Sequence, residues 1–144
     1  MKLIDRLQKE IDQIRGQRHQ LLIIPEHIGN HVDLKGALKQ LNIPLLNLNL
    51  LLSSQLKDLP PSKRPLAVGP ALHQEMGKVA SKIVGLEKIE YLFDPELKQD
   101  PLRLLSSLSS NKVIILLWPG EVKGKRLSYA TRNHPDFYEN ETFI

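Results

Sequence analysis

The chain has 144 residues, of which 41% are hydrophobic and 25% are charged, a balance typical of one folded α/β or α+β domain. Cysteine is absent, which excludes disulfides, zinc–thiolate sites, iron–sulfur clusters and cysteine nucleophiles. The net charge of +4 and the isoelectric point of about 9.4 permit anionic partners without requiring them.

The N-terminal segment, residues 1–16, predicts a helix. Leu3, Leu7, Ile11 and Ile14 recur at three- and four-residue steps, which places them on one apolar stripe. The first six residues include three charged ones and no long apolar run follows, so we do not expect a signal peptide. No apolar run approaches the ~18 residues that span a membrane. We therefore expect a cytoplasmic protein without a membrane partner.

A short apolar run over 20–24 follows, and Pro25 ends it. A run of this length that is apolar on both faces is typical of a buried strand. The residues up to Val32 predict a loop. Asp33 is a suitable N-cap for a short helix that ends near Leu41.

The middle of the chain predicts two more strands separated by helices. The apolar run from Leu45 to Leu52 predicts the second strand, on which Asn47 and Asn49 share a face by the two-residue period. Gly85 weakens the prediction of the third strand. In this region the predicted helices cover 53–58 and 66–80, and the predicted third strand covers 82–86.

The C-terminal third contains the clearest buried strand. Val113 to Trp118 is apolar on both faces, which predicts a position at or near the centre of the sheet. A helix over Pro101 to Leu108 precedes it, with proline in its first turn. Turn signals follow, and Leu127 to Ala130 predicts a short returning strand. The tail, residues 131–144, has no regular period.

The alternation of strands and helices predicts a single α/β domain over residues 1–144. We expect a three-layer arrangement, with a mostly parallel central sheet covered by helices on both faces. The predicted core strands lie near 20–24, 44–50, 82–87 and 113–118. In such sheets, ligands bind outside the carboxyl ends of the strands.

The connection after the first strand has the architecture of a phosphate-binding loop, in which about eight residues of sequence G-x-x-x-x-G-K-[ST] join a strand to a helix. Here Pro25 and Asn30 take the glycine positions, His31 takes the lysine position and Val32 takes the hydroxyl position. Proline supplies no N–H group, histidine is not a permanent cation, and valine cannot bind Mg²⁺. The segment is therefore either an ordinary connecting loop or a degenerate phosphate loop.

Two acids follow the third predicted strand. Glu87 comes directly after it, and Glu90 lies one turn further along. In phosphate-loop ATPases a buried strand ends in an acid that helps to hold Mg²⁺. Glu87 is therefore the candidate for holding the metal, and Glu90 is the candidate for polarising water. The alternative is that both are solvated acids on either side of Lys88.

Four basic residues cluster after the last strong strand: Lys123, Lys125, Arg126 and Arg132. Tyr129 lies among them, and Phe137 and Tyr138 follow. A basic loop with aromatic residues can bind a nucleic acid through phosphate contacts and stacking, although an ordinary basic hairpin has the same composition. His27 and His31 have a spacing that binds metals on a helix, but no third ligand accompanies them, so no metal site is predicted.

Several segments of the C-terminal half are distinctive. They read EYLFDPELKQDPLRLL at 90–105, LLWPG at 116–120, LSYA at 127–130 and HPDFY at 134–138. Together they resemble the BrxF family, the small phosphate-loop proteins of type 3 BREX bacteriophage-defence systems. The resemblance covers most of the chain and is strongest from Glu87 to Tyr138.

This resemblance implies a P-loop NTPase-like domain that uses ATP and Mg²⁺ and works beside other BREX proteins. The family pattern has an intact phosphate loop and an aspartate at the end of the third strand, where this chain has Glu87. The cofactor would bind at the degenerate loop positions, which are Gly29, Asn30, His31 and Val32. Because the loop lysine and hydroxyl are missing, whether the chain is an enzyme stays open.

The departures from the family pattern favour an assembly or interaction subunit that keeps the fold of an ATPase. Two alternatives are an active ATP-binding subunit with unusual loop residues and a small DNA-binding accessory module. A homo-oligomer is compatible with all three.

Overall fold

The computed structural model describes residues 3–25, 34–119, 121–123, 126–130 and 138–140. The α-helices of these ranges are α1 (Leu3–Ile14), α2 (Leu34–Gln40), α3 (Leu48–Leu56), α4 (Arg64–Lys78) and α5 (Pro101–Leu108). The strands are β1 (Leu21–Pro25), β2 (Leu45–Asn47), β3 (Ile83–Glu87), β4 (Val113–Trp118), β5 (Glu121–Lys123), β6 (Arg126–Tyr129) and β7 (Tyr138–Asn140). Short 3₁₀ turns cover Pro61–Lys63, Glu90–Phe93 and Pro95–Leu97.

Strands β1 to β4 form a parallel sheet in the order β1-β4-β3-β2. Leu21 lies opposite Ile114, and Gly85 lies opposite both Leu45 and Ile115. The predicted α/β class and parallel sheet are therefore confirmed. Strand β4 lies between two neighbours and all its residues are buried, as its two apolar faces predicted.

Strand β4 divides the apolar core into two layers. Its alternate residues Val113, Ile115 and Leu117 pack with α1 and α2. The intervening residues, Ile114, Leu116 and Trp118, pack with α3, α4 and α5. Because successive side chains of a strand point to opposite faces, one apolar strand supports both layers. Helices therefore cover both faces of the sheet, which is the three-layer arrangement.

The order of the strands shows how the chain crosses the sheet. The path from β1 through α2 to β2 crosses the whole sheet on one face, and β3 and β4 then return toward β1 beneath α3, α4 and α5. Connections on opposite faces diverge at the carboxyl edge near β1 and β4. In open α/β sheets, ligands bind in the crevice that such a divergence creates.

The second strand, predicted from Leu45 to Leu52, is confirmed over Leu45–Asn47 and is wrong beyond Asn47. Strand β2 ends at Asn47, whose side chain accepts a hydrogen bond from the backbone N–H of Leu50 at 3.1 Å and caps α3. Leu48, Leu52 and Leu56 are then buried at four-residue spacing. A leucine-rich run fits both the two-residue period of a strand and the 3.6-residue period of a helix. The Asn47 cap favours the helix here. Helix α3 replaces the helix predicted over 53–58.

Strands β5, β6 and β7 form a separate antiparallel sheet in that order. The predicted returning strand corresponds to β6. The tail was predicted to be irregular, but it contributes β7. Its Tyr138 ring packs 5.5 Å from the ring of Phe93, and its hydroxyl donates to Asp100 Oδ1 at 3.0 Å. These contacts with the domain, rather than a local period, form the strand.

The helices within the described ranges include none that is long and apolar enough to cross a membrane.

Candidate functional site

The carboxyl edge of the parallel sheet brings together the ends of four strands: Pro25, Asn47, Glu87 and Trp118. Pro25 lies opposite Trp118, and Asn47 lies opposite Glu87. Trp118 is fully buried on the side of α3, α4 and α5. The polar chemistry of this edge therefore begins with Glu87 and the side chains around it.

Glu87 forms an ion pair with a lysine that the sequence did not single out. Lys35 Nζ lies 3.0 Å from Glu87 Oε1. The Glu87 side chain is only 14% exposed, whereas the Lys35 side chain is 59% exposed. Lys35 is the second residue of α2, the helix that follows the candidate phosphate loop. A carboxylate that is largely removed from water needs a charged or polar partner, and α2 supplies it.

Glu90 is bound on the other side of the sheet, by Asn49 in the first turn of α3. Asn49 Nδ2 donates to Glu90 Oε2 at 2.9 Å, and Asn49 Oδ1 accepts the backbone N–H of Tyr91 at 2.9 Å. The backbone N–H of Asn49 donates to the carbonyl of Lys88 at 2.9 Å. Asn49 thus fixes the segment after β3 to the start of α3. A shallow pocket of about 440 Å³ lies here, lined by Asn49, Leu50, Ser53, Glu90, Tyr91 and Asp94.

The structure does not bring Glu87 and Glu90 into one cluster. Lys88, between them, has a left-handed backbone with φ of 53°, and the chain turns there. Glu87 then meets α2, while Glu90 meets α3, and these helices lie on opposite faces of the sheet. Within the described ranges, no group of three or more His, Cys, Asp or Glu side chains is placed to hold a metal ion. The structure therefore separates Glu87, the candidate for holding the metal, from Glu90, the candidate for polarising water.

The degenerate phosphate-loop positions, Gly29, Asn30, His31 and Val32, lie outside the described residues. The elements that flank them are placed as predicted. Strand β1 ends at Pro25, and α2 begins at Leu34. The described residues on either side are therefore the carboxyl end of β1 and the start of α2, the helix that carries Lys35.

Two residues of the basic cluster, Lys123 and Arg126, belong to the second sheet. Strands β5 and β6 pair so that Lys123 lies opposite Arg126, which brings two basic residues to one end of the hairpin. Lys125 and Arg132 lie outside the described residues. The sequence predicted a hairpin at this place, and the pairing of β5 with β6 confirms it.

The aromatic residues near the basic cluster pack against the domain. Tyr129 stacks on Phe93, with ring centroids 4.3 Å apart and planes 12° apart. Trp118 meets the edge of Phe93 at 5.5 Å and donates from Nε1 to the Ser128 carbonyl at 3.0 Å. Tyr129 and Tyr138, which the sequence offered for stacking on bases, thus join this internal aromatic cluster. Their main role in this structure is to attach the second sheet to the first.

Sequence reasoning found both acids but missed their partners. Asn49 was placed on a strand, where it would have shared a face with Asn47, and Lys35 carried no motif. A weak signal existed for Lys35, because a lysine in the first turn after a βα loop lies close to the carboxyl edge of a parallel sheet.

Comparison with known proteins gave no match: no family model, no curated protein and no solved structure matches this chain. The chemistry of the carboxyl edge is therefore inferred from its own residues.

Proposed function

We propose that this chain is an ATPase-like domain with a degenerate phosphate loop that acts in the cytoplasm as an assembly or interaction subunit of a BREX-type bacteriophage-defence system. The defence context comes from the resemblance of residues 87–138 to the BrxF family. The inference that the chain neither binds nor hydrolyses ATP comes from the residues at the carboxyl edge of the sheet.

One observation carries the second part of the proposal: the acid at the end of β3 already has a cation partner from the protein. Lys35 contacts Glu87 at 3.0 Å. In a working phosphate-loop ATPase, this acid helps to hold Mg²⁺ beside the phosphates, and the loop supplies a separate lysine. Here the loop has no lysine, and the cation of α2 neutralises the acid instead.

The environment of Glu90 supports the same conclusion. A general base must lie within hydrogen-bond reach of the proton that it abstracts. Glu90 is held by Asn49 of α3, on the face of the sheet opposite α2, the helix that follows the phosphate loop. This arrangement suits a structural carboxylate that fixes the turn after β3.

Titration calorimetry with MgATP tests the nucleotide part. We expect no binding with a dissociation constant below about 10 µM, which corresponds to roughly −7 kcal/mol. The matched variant combines Pro25→Gly, Asn30→Gly, His31→Lys and Val32→Thr, and we expect it to gain binding because it restores the phosphate-loop pattern. Tight binding by the natural chain would instead support the alternative of an active ATP-binding subunit.

A plaque assay with the complete defence system tests the assembly part. Removing the chain should restore phage growth, whereas His31→Ala should leave defence intact because the loop binds no phosphate. Co-purification with the other BREX proteins should also survive His31→Ala. Loss of defence in His31→Ala with normal protein levels would contradict an assembly role without nucleotide.

A DNA-binding accessory module is the second candidate, and the pairing of Lys123 with Arg126 is the observation that favours it. Paired basic residues at the end of a hairpin can contact adjacent phosphates.

A further inference from the structure

We propose that two copies of this chain associate through strand β1, which pairs antiparallel with β1 of the second copy about a two-fold axis at Leu22. This proposal does not depend on the nucleotide or defence proposals. It concerns the edge of the parallel sheet on the side away from β3.

Strand β1 is the last strand of its sheet on this side, and among the described residues it pairs only with β4. The Gln20 carbonyl accepts a hydrogen bond from Ile114 at 2.9 Å, so Gln20 directs its backbone toward β4. Backbone groups alternate along a strand, so Leu22 and Ile24 also pair with β4. Leu21 and Ile23 therefore direct their N–H and C=O groups toward the open edge.

Before Pro25, which ends it, this edge lacks the features by which proteins usually prevent strand addition. Between Leu21 and Ile24 it has no charged residue, no proline and no bulge. A groove of about 570 Å³ runs beside it, with apolar lining from Ile14, Leu21, Leu22 and Ile23. An apolar strand beside such a groove is suited to accept another apolar strand.

The position of Pro25 determines the register in which a second copy of β1 can pair. The backbone of Pro25, like that of Leu21 and Ile23, is directed toward the open edge, but proline has no N–H group to donate. With the axis at Leu22, each Leu21 exchanges both of its backbone hydrogen bonds with Ile23 of the other copy. Each Pro25 then lies opposite position 19, beyond the start of the strand. With the axis at Ile23, Pro25 would face Leu21 and leave the Leu21 carbonyl unpaired.

The charges at the groove also favour self-association. Its polar lining includes both an acid, Glu10, and a base, Arg18. A two-fold axis presents the same two signs from each copy, so an acid of one copy can face a base of the other. A strongly acidic or strongly basic peptide would be opposed by one of these charges.

A cysteine cross-link tests both the association and its register. The chain has no cysteine, so Leu22→Cys introduces a single thiol. Residues at the axis of a non-hydrogen-bonded pair have Cα atoms about 4.5 Å apart, which is within disulfide range. We expect Leu22→Cys to form a covalent dimer under mild oxidation.

Two matched thiols serve as controls. In the proposed register, the two copies of Ile23 lie further apart than the ~7 Å that a disulfide allows, so Ile23→Cys should not link. Ser54→Cys, on the exposed side of α3, reports on random collisions and should not link either. Equal linking of all three variants, or preferential linking of Ile23→Cys, would overturn the proposed pairing.

Sedimentation and light scattering test the association without any thiol. The natural chain should be a dimer at micromolar to submillimolar concentrations. Ile23→Pro removes an N–H group directed at the open edge, together with a partly buried side chain that packs on the core. Because Pro25 is already tolerated in the same orientation, we expect a folded monomer with an unchanged far-UV spectrum. A natural chain that stays monomeric, or an Ile23→Pro variant that folds and remains dimeric, would overturn the proposal.

Discussion

At the scale of single residues, one side chain determines the path of the chain after β3. Asn49 binds the Lys88 carbonyl with its backbone, and the Glu90 carboxylate and the Tyr91 N–H with its side chain. The left-handed Lys88 then separates the two acids that the sequence had placed together. The two carboxylates consequently contact different helices, on opposite faces of the sheet.

Replacing Asn49 should destabilise this turn. Asn49→Ala should cost about 1–3 kcal/mol, because it leaves a half-buried carboxylate and a backbone N–H without their partner. Urea unfolding gives the free energy of unfolding. Ser53→Ala, on the exposed side of the same helix, should stay within about 0.5 kcal/mol of the natural chain. Asn49→Asp keeps an acceptor for Tyr91 but sets a carboxylate beside Glu90, so it should rescue less than half of the loss.

The Lys35–Glu87 pair should contribute less to stability than Asn49. The lysine side chain is 59% exposed, so water and salt screen the attraction, and the coupling should be below about 1 kcal/mol. A double-mutant cycle with Lys35→Met and Glu87→Gln isolates the pair from the other contacts of Lys35. The coupling should decrease at high salt. If salt leaves the coupling energy unchanged, the Lys35–Glu87 pair is less accessible to solvent ions than its exposed fraction indicates.

At the scale of secondary-structure elements, Gly85 determines how closely β3 approaches the α2–β2 connection. Its N–H donates to the Pro44 carbonyl at 2.8 Å. A Cβ atom at this position would lie 3.0 Å from Leu45 Cδ1 and 3.3 Å from Leu38 Cδ1. The glycine that weakened the strand prediction is therefore the residue that lets the strand pack.

Adding a methyl group at two glycines should have opposite effects. Gly85→Ala should destabilise the fold by about 1–3 kcal/mol, because the leucine side chains must move in a filled core. Gly77→Ala meets no atom within 4 Å in α4 and should stabilise the fold by roughly 0.5–1 kcal/mol. Thermal and urea unfolding of both variants check the contrast. If Gly85→Ala leaves the free energy of unfolding unchanged, the side chains of Leu38 and Leu45 can move aside at little cost.

At the scale of the whole molecule, the excess of positive charge is modest, and its placement matters more than its size. The chain carries a net charge of +4. Two basic residues meet at the end of the β5–β6 hairpin, while the tyrosines beside it pack inward. If this surface binds DNA, it does so through phosphates rather than stacked bases.

Salt-dependent DNA binding checks this surface. Each phosphate contact should add about −0.9 to the log–log slope of affinity against salt on duplex DNA. Lys123→Ala with Arg126→Ala should weaken binding to all sequences alike and make the slope shallower. Lys57→Ala with Lys63→Ala removes the same charge from exposed positions elsewhere and serves as the control. Equal losses in both variants, or no binding of the natural chain at ~50 mM salt, would contradict a DNA surface here.

Elements with local signals could be predicted from the amino-acid sequence alone. Val113–Trp118 and Pro101–Leu108 have the predicted bounds, because an uninterrupted apolar run and a proline in a first helical turn need no distant contact to be recognised. The alternation of such elements also determined the α/β class and the parallel sheet. The two candidate acids were found because each follows a predictable strand.

The contacts of those two acids depend on the tertiary fold. Lys35 reaches Glu87, and Asn49 reaches Glu90, across dozens of residues of chain and from opposite faces of the sheet. The leucine-rich run after Leu45 was compatible with both periods until the Asn47 cap and the packing of Leu48 selected a helix. Strand β7 depends likewise on the docking of Tyr138. Contacts between residues far apart in the chain produce no repeating pattern in the sequence. They are determined by how the elements pack, so sequence periodicity cannot predict them.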